Sequence, residues 1–456
     1  YIEYHYNGAG FISDTIDSAG RVTSYLYDGN GNRISDTDPN GDVTGRNYDA
    51  NHRLATIAYP NGGHRYYTYD SEGRVTEVKE DNDVNKFSYD YSTSSRTVIT
   101  DSLSHNATLD WATLLGSVVV TKETDHLGNY KSFTYDDNLN LRESRDKLGR
   151  TDRYTYDERG NAIMYSNALN QTVQTNYESG FNQPTQQTDA RGNQTRFLYD
   201  ANGNIVQTID PLNKETRATY DQFGHVATRR DALGYTSGFT YNSFGAVSQA
   251  FDPLGRTRVY ARDAQSRVTK NTDAKGKETS FEYDALSRMT RVTDALNGIT
   301  SYAYEPGRSS RLMTGIVDAR NHQVVITHDN HGRISSRSNA LGQTRTFGYD
   351  SQGNMTSAVD AMNQNFILEY DTLNRVSKKT SPEGDVTFAY DAVGNTVDAQ
   401  HYNGSRTQAT YDALNRGTRS IQTLPNGFTV IIDYAYDANC NRTSMTTPLG
   451  MFSYAY

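Results

Sequence analysis

The chain repeats itself about every 21 residues from end to end. A period of that length constrains the fold more than any composition does. Each copy must build the same short unit and bury its apolar face against its neighbours. Tyr-Asp pairs such as Tyr27-Asp28, Tyr48-Asp49, Tyr69-Asp70, Tyr199-Asp200, Tyr283-Asp284 and Tyr411-Asp412 anchor the copies. Degenerate pairs, among them Tyr6-Asn7, Tyr177-Glu178, Tyr241-Asn242 and Arg262-Asp263, fill the gaps in the same spacing.

Each unit carries two turn signals. A glycine follows the anchor tyrosine by about four residues, as at Gly31, Gly73, Gly203 and Gly353. A second turn, Asp-[Ala/Pro]-x-[Gly/Asn], follows by about eleven, as at Asp38-Pro39-Asn40-Gly41 and Asp231-Ala232-Leu233-Gly234. Asp at the first corner can bond the backbone ahead of it, and Gly or Asn accepts positive φ at the last. What remains is two stretches of five to six residues, the length of strands and too short for helices.

Those stretches alternate as strands do. The residue two places before the anchor shares its face and is usually aromatic, as at Tyr25, Tyr67, Phe197, Phe281 and Phe347, with polar residues between. Six places after the anchor stands an apolar residue, as at Leu54, Val75, Ile205, Val268 and Met289. Period two with one apolar face is a sheet pattern. The spacing therefore predicts an all-β chain of about 21 tandem hairpins, paired edge to edge in one antiparallel ribbon. At ~4.8 Å per strand such a ribbon is about 200 Å long, and its twist predicts that it spirals into a hollow shell. Residues 1–456 read as one repeat region, with longer intervals at 109–135, 304–328 and 411–436 that contain Trp111 and the runs 114–120 and 428–432. Lengthened strands are the plain reading of those intervals, and a docking patch is the sharper one.

Composition agrees. Leu, Ile, Val and Phe make up under a fifth of the 456 residues, too few for a thick core, while 35 tyrosines and a net charge of -9 oppose disorder. No apolar run is long enough for a membrane helix, and no basic block marks a nucleic-acid surface. A signal peptide is missing, and Tyr1 in place of an initiating Met reads as the start of an excised segment. Cys440, the only cysteine, excludes a disulfide framework and reads as a small loop residue.

With the Tyr-Asp anchors, the Gly-Asn and Gly-Arg steps (Gly31-Asn32, Gly73-Arg74, Gly353-Asn354) and the turn Asp252-Pro253-Leu254-Gly255-Arg256, the chain resembles the RHS/YD-repeat family over its whole length. That family includes bacterial polymorphic Rhs toxins, the C components of insecticidal toxin complexes, wall-associated toxins and the animal teneurins. The resemblance implies a spiral β-shell that, in the bacterial proteins, encloses a C-terminal toxic polypeptide and is secreted or delivered. It implies as partners an enclosed cargo or other segments of the same polypeptide. The closing segment that commonly cleaves itself in those proteins has no counterpart among these residues.

No catalytic, cofactor or metal residue is assigned. The aspartates fall at turn registers, where backbone bonding accounts for them, so a glycosidase pair is not read from them. Asp28-Gly29-Asn30-Gly31-Asn32 and Asp81-Asn82-Asp83 have partial calcium-loop spacing, but Arg33 stands where the loop glycine belongs and no closing Glu follows. Ten scattered histidines form no recognisable ligand motif. The leading expectation is thus a non-enzymatic encapsulating wall. A cell-surface adhesion module binding glycan is the alternative, and an architectural spacer a further one.

Overall fold

The computed structural model describes residues 2–305 and 312–456, and they are all β: 43 strands and one three-residue 3-10 turn, Asp81–Asp83. Strand ends fall where the period puts them. Gln194–Tyr199 stops on its anchor tyrosine, and the next strand, Ile205–Ile209, starts six residues after it. The two pair antiparallel, with Phe197 opposite Thr208 and Tyr199 opposite Ile205. One extra residue enters at the anchor, so a β-bulge sits beside each anchor turn, as it does at Tyr135, Tyr220 and Tyr283. Bulges raise the local right-handed twist, which bends the ribbon at the same place in each unit. Hairpins then join edge to edge: Gln186 of one faces Arg196 of the next.

The two turns of a unit share one chemistry. In the anchor turn, Asp200 Oδ1 accepts the amides of Asn202 and Asn204, each at 2.9 Å, and Gly203 N donates to Asp200 O. In the distal turn, Asp231 Oδ1 accepts the amides of Leu233 and Tyr235, also at 2.9 Å, and Gly234 N donates to Asp231 O. Both turns close on positive φ, 82° at Gly203 and 90° at Gly234. Cys440 occupies the same turn position with φ 67° and is exposed.

The sheet has no thick core. Within Gln194–Tyr199, Thr195, Phe197 and Tyr199 are half-buried while Gln194, Arg196 and Leu198 are exposed. Only Val78, Val84 and Ala358 are buried apolar residues among those described. The chain exposes 26582 Å², whereas a compact protein of its mass exposes about 17,000 Å². The surplus is the signature of a wall one sheet thick.

The ribbon divides into two compact units. The first comprises 1–89, 100–104 and 237–365, the second 90–99, 105–236 and 366–456. Inside each unit one stretch of ribbon lies edge to edge with another far along the chain. In the first, Ser18 Oγ donates to Ala264 O, Arg21 Nη1 to Ala285 O, and Ser351 Oγ to Ser102 Oγ. In the second, Arg150 Nη1 donates to Asp412 O and Asn439 Nδ2 to Asp189 Oδ2. In each pair a distal turn of the earlier stretch meets an anchor turn 246 to 264 residues later.

The long intervals are mostly lengthened strands. Asn106–Leu114 and Ser117–Thr124 form an extended hairpin around Leu115 and Gly116, and Gly417–Thr423 pairs with Thr429–Tyr436. In the third interval, residues 306–311 lie outside the described residues, and the strands Met313–Val317 and Gln323–His328 follow them.

Turn geometry sets the first prediction. A Cβ on Gly203 would lie 3.2 Å from the Phe181 ring at φ +82°. Gly203→Val should cost about 1–3 kcal/mol, and Leu233→Ala within about 0.5 kcal/mol, read from urea unfolding midpoints.

Candidate functional site: the junction between hairpins

The feature that recurs with chemical detail is the joint between one hairpin and the next. The anchor tyrosine ends its strand over the bulge of the preceding hairpin, and its hydroxyl donates to a carbonyl there. Tyr199 Oη reaches Pro184 O at 2.7 Å, Tyr283 reaches Val268 O at 2.9 Å and Tyr411 reaches Thr396 O at 2.9 Å, each 15 residues back. A phenylalanine would keep the ring and lose the bond, which is why the anchor is tyrosine. At position 262 an arginine stands instead, and its Nε donates to Val247 O at 3.1 Å.

Where the residue five after the anchor is arginine, it adds three contacts. Arg288 Nε bonds Asp284 Oδ2 at 2.6 Å within its own turn, and Nη1 donates to Glu305 O in the next. Its guanidinium lies 4.8 Å from the centroid of the Tyr304 ring. Arg53, Arg267, Arg333 and Arg375 repeat the stack on the following anchor tyrosine at 4.6–4.7 Å. Such a cation over a half-buried ring is worth about 0.5–2 kcal/mol. The guanidinium thereby covers the ring face that a thin sheet cannot bury. Sequence reasoning expected the ring ladder and missed these two partners, the bulge carbonyl and the guanidinium. The signal available was the recurrence of arginine at that one register.

The same contacts hold the turn carboxyls in their charged form. At Asp329 burial alone would raise the pKa, but the backbone and side-chain bonds from Arg333 outweigh it and hold the carboxyl below its ordinary 3.8. Asp263 and Asp371 follow the same balance with Arg267 and Arg375. Where asparagine replaces the arginine, as at Asn140, its side-chain bond is the leading cause that lowers Asp136.

The aspartates weighed as calcium ligands are likewise engaged in structure. Asp28 accepts the amides of Asn30 and Asn32 and the Asn32 side chain. Asp81 accepts the His64 amide and the Tyr66 hydroxyl, and Asp83 pairs with Lys79. In the second unit the fold brings His105 and His126 together with ring centroids 5.3 Å apart. His105 directly follows the distal turn opened by Asp101 and His126 is the second residue of the turn opened by Asp125, so they meet across adjacent distal turns at different positions. An open groove of about 630 Å³ in the first unit is lined by Phe239, Phe251 and Tyr260 with Arg258, Asp273 and Lys275. No helix among the described residues is long and apolar enough to cross a membrane.

Comparison with known proteins places this geometry. The family model described as the teneurin YD-shell matches residues 219–447, and the RHS repeat model matches 6–43, 48–83 and 179–215. A comparison with curated proteins finds no match. Among solved structures, a chain in the crystal structure of TcdB2-TccC3 superposes with TM-score 0.64 at 14% identity, over 98% of this chain and 30% of that one. TcdB2-TccC3 without its hypervariable C-terminal region gives 0.62 at 13% identity, over 98% and 32%. This chain thus spans about a third of those chains, and at such identity the likeness is one of fold.

Two predictions test the junction. Tyr199→Phe should cost about 1 kcal/mol, the worth of one hydrogen bond, and Tyr199→Ala with Phe197→Ala several times more. Hydrogen exchange should show the loss first in the hairpins on either side, and uniform loss along the chain would refute junction-by-junction stability. Carboxyls such as Asp263, Asp329 and Asp371 have folded pKa values below the unfolded ones, so their contribution is complete above about pH 5 and fades as pH falls through about 4. The urea midpoint should hold steady from about pH 5 to 8 and decline below that. A midpoint that rises on acidification would contradict it.

Proposed function

This chain belongs to the teneurin YD-shell family, and from that membership we propose that it forms, as one region, part of the wall of a β-shell enclosing a toxic polypeptide. The wall is a scaffold and not a catalyst. The observation that carries this reading is the thin sheet itself. Its repeated Tyr, Asp and Arg side chains are engaged in joining hairpins, and its surface exceeds that of a filled domain. The fold likeness to chains in TcdB2-TccC3 structures supports a shell of the toxin-complex kind, and with it a secreted or delivered protein.

A wall acts by separation. An unfolded cargo behind a continuous backbone ladder meets neither protease nor target, because the ladder leaves no gap wide enough for a folded protein. Cargo would be held by exclusion and by many weak contacts with half-buried aromatic and amide side chains, which require no sequence-specific pocket.

Proteolysis of the polypeptide as encoded, cargo included, is the test. The cargo should resist trypsin while the wall is intact and become cleavable when Tyr199→Ala and Phe197→Ala open a junction. Small-angle scattering should give a radius of gyration above the about 23 Å of a compact domain of this length. A cargo cut equally fast with and without an intact wall would overturn encapsulation. Saturable binding on a glycan array, abolished by Tyr260→Ala in the groove, would favour adhesion instead.

A further inference from the structure

The distal turn at residues 81–85 is built unlike the others, and it lies on the seam of the first unit. Regular turns place one residue in the left-handed region, as at Gly203 and Gly234. Here Asn82, Asp83 and Asn85 have φ of 58°, 58° and 51°, around a 3-10 turn. Backbone of that kind persists only where its surroundings hold it. Bonds from the same stretch of ribbon do so: Glu80 N donates to Val84 O at 2.8 Å, His64 N to Asp81 Oδ2 at 2.7 Å and Tyr66 Oη to Asp81 Oδ1 at 2.9 Å.

Across the seam this segment grips two anchor turns. His331 Nε2 donates to Asp81 O at 3.2 Å, and Asn85 N donates to Ser351 O at 2.8 Å. Beside them Ser351 Oγ donates to Ser102 Oγ at 3.1 Å, and Gln352 Nε2 donates to Asp101 Oδ2. Farther along the same seam the donors are side chains: Ser18 to Ala264 O, Arg21 to Ala285 O and Asn61 to Asn330 O. At Asn85 backbone meets backbone.

Burial singles out the same place. Among the described residues, the buried ones other than glycine are Val78, Glu80, Val84, Asp101 and Ala358. Val78, Glu80 and Val84 belong to this turn and the strand that leads into it, and Asp101 opens the next distal turn. Ala358 lies in the strand that follows the anchor turn of Ser351. A wall with almost no core keeps what core it has at one point of one seam.

We propose that residues 81–85 are a clasp that locks the seam of the first unit, and that releasing it parts the two stretches of ribbon while their strand ladders stay paired. The seam is made mostly by side-chain donors, whereas backbone pairs run along the strands of each hairpin, as between Thr344–Tyr349 and Met355–Val359. Local opening therefore takes the seam before the ladder. The first unit then opens along one defined line, whatever the wall encloses.

Hydrogen exchange in urea below the global transition, on the chain carrying Cys440→Ser, tests the clasp. The Asn85 amide should exchange through an opening that leaves Thr344–Tyr349 and Met355–Val359 protected. Val84→Ala should speed exchange at Asn85 about tenfold or more and leave those strands unchanged. Ser102→Cys with Ser351→Cys places two thiols across the seam, where the serine oxygens are 3.1 Å apart. Their disulfide should slow exchange at Asn85 at least about tenfold, and reduction should restore the rate. An Asn85 amide that exchanges only together with the two strands overturns the proposal. So does a Val84→Ala chain in which both speed up alike. Thiols that never join across the seam, or a disulfide that leaves Asn85 unaffected, overturn it as well.

Discussion

The structure depends on a donor placed over a bulge. Hairpin after hairpin hands the next one a carbonyl beside its bulge, and the anchor side chain of the next binds it, as at Tyr199, Tyr283 and Tyr411. Position 262 shows that the donor can be kept where the phenol ring is lost. There the ring is gone, and Arg262 Nε occupies the same place over Val247 O. The contact fixes the register of adjacent hairpins at one end, and the ladder carries that register along the strands. A one-residue slip would move the aromatic column to the opposite face and take the donor away from its carbonyl.

That dependence explains how so little aliphatic volume suffices. In a globular core apolar atoms are shielded by more apolar atoms. Here the Tyr304 ring is shielded by the Arg288 guanidinium, which is neutralised by Asp284 and donates to Glu305 O. A polar side chain thus does the covering that a second layer of sheet would otherwise do, with its own hydrogen bonds satisfied. The cost is sensitivity to charge: at Asp263, Asp329 and Asp371 the bonds from the arginine hold the turn carboxyl in its charged form, and protonating it weakens that pairing.

Much of this was legible beforehand. The strand ends at Tyr199 and Ile205, the positive φ at Gly203 and the hairpin-by-hairpin pairing follow from the spacing of Tyr-Asp, Gly and Asp-Ala-Leu-Gly. The resemblance to RHS/YD repeats agreed with the family match. Other features were hidden for physical reasons. A hydroxyl's partner 15 residues back is a backbone atom, and backbone atoms leave no trace in a sequence. The seams were hidden because Arg150 meets Asp412 through the curvature of about a dozen hairpins, and small twists summed over that distance are not encoded at any one position. The meeting of His105 with His126 was hidden as well, since the extended hairpin between them places the two at different positions of their turns.

A repeat that joins its neighbours through turns and bulges leaves its side-chain faces largely free, and this bears on what such a wall can evolve to do. At the distal-turn third position the chain carries Ala19, Asn40, Leu148, Arg191 and Leu254 without change in the turn, because the Asp carboxylate and the backbone make its closing bonds. Turn residues on the edges are therefore under the control of whatever lies alongside. The junction sets the fold; edge and face residues are free to set partners. A substitution on an edge or a face then reaches none of the bonds that close a turn or seat a tyrosine over a bulge.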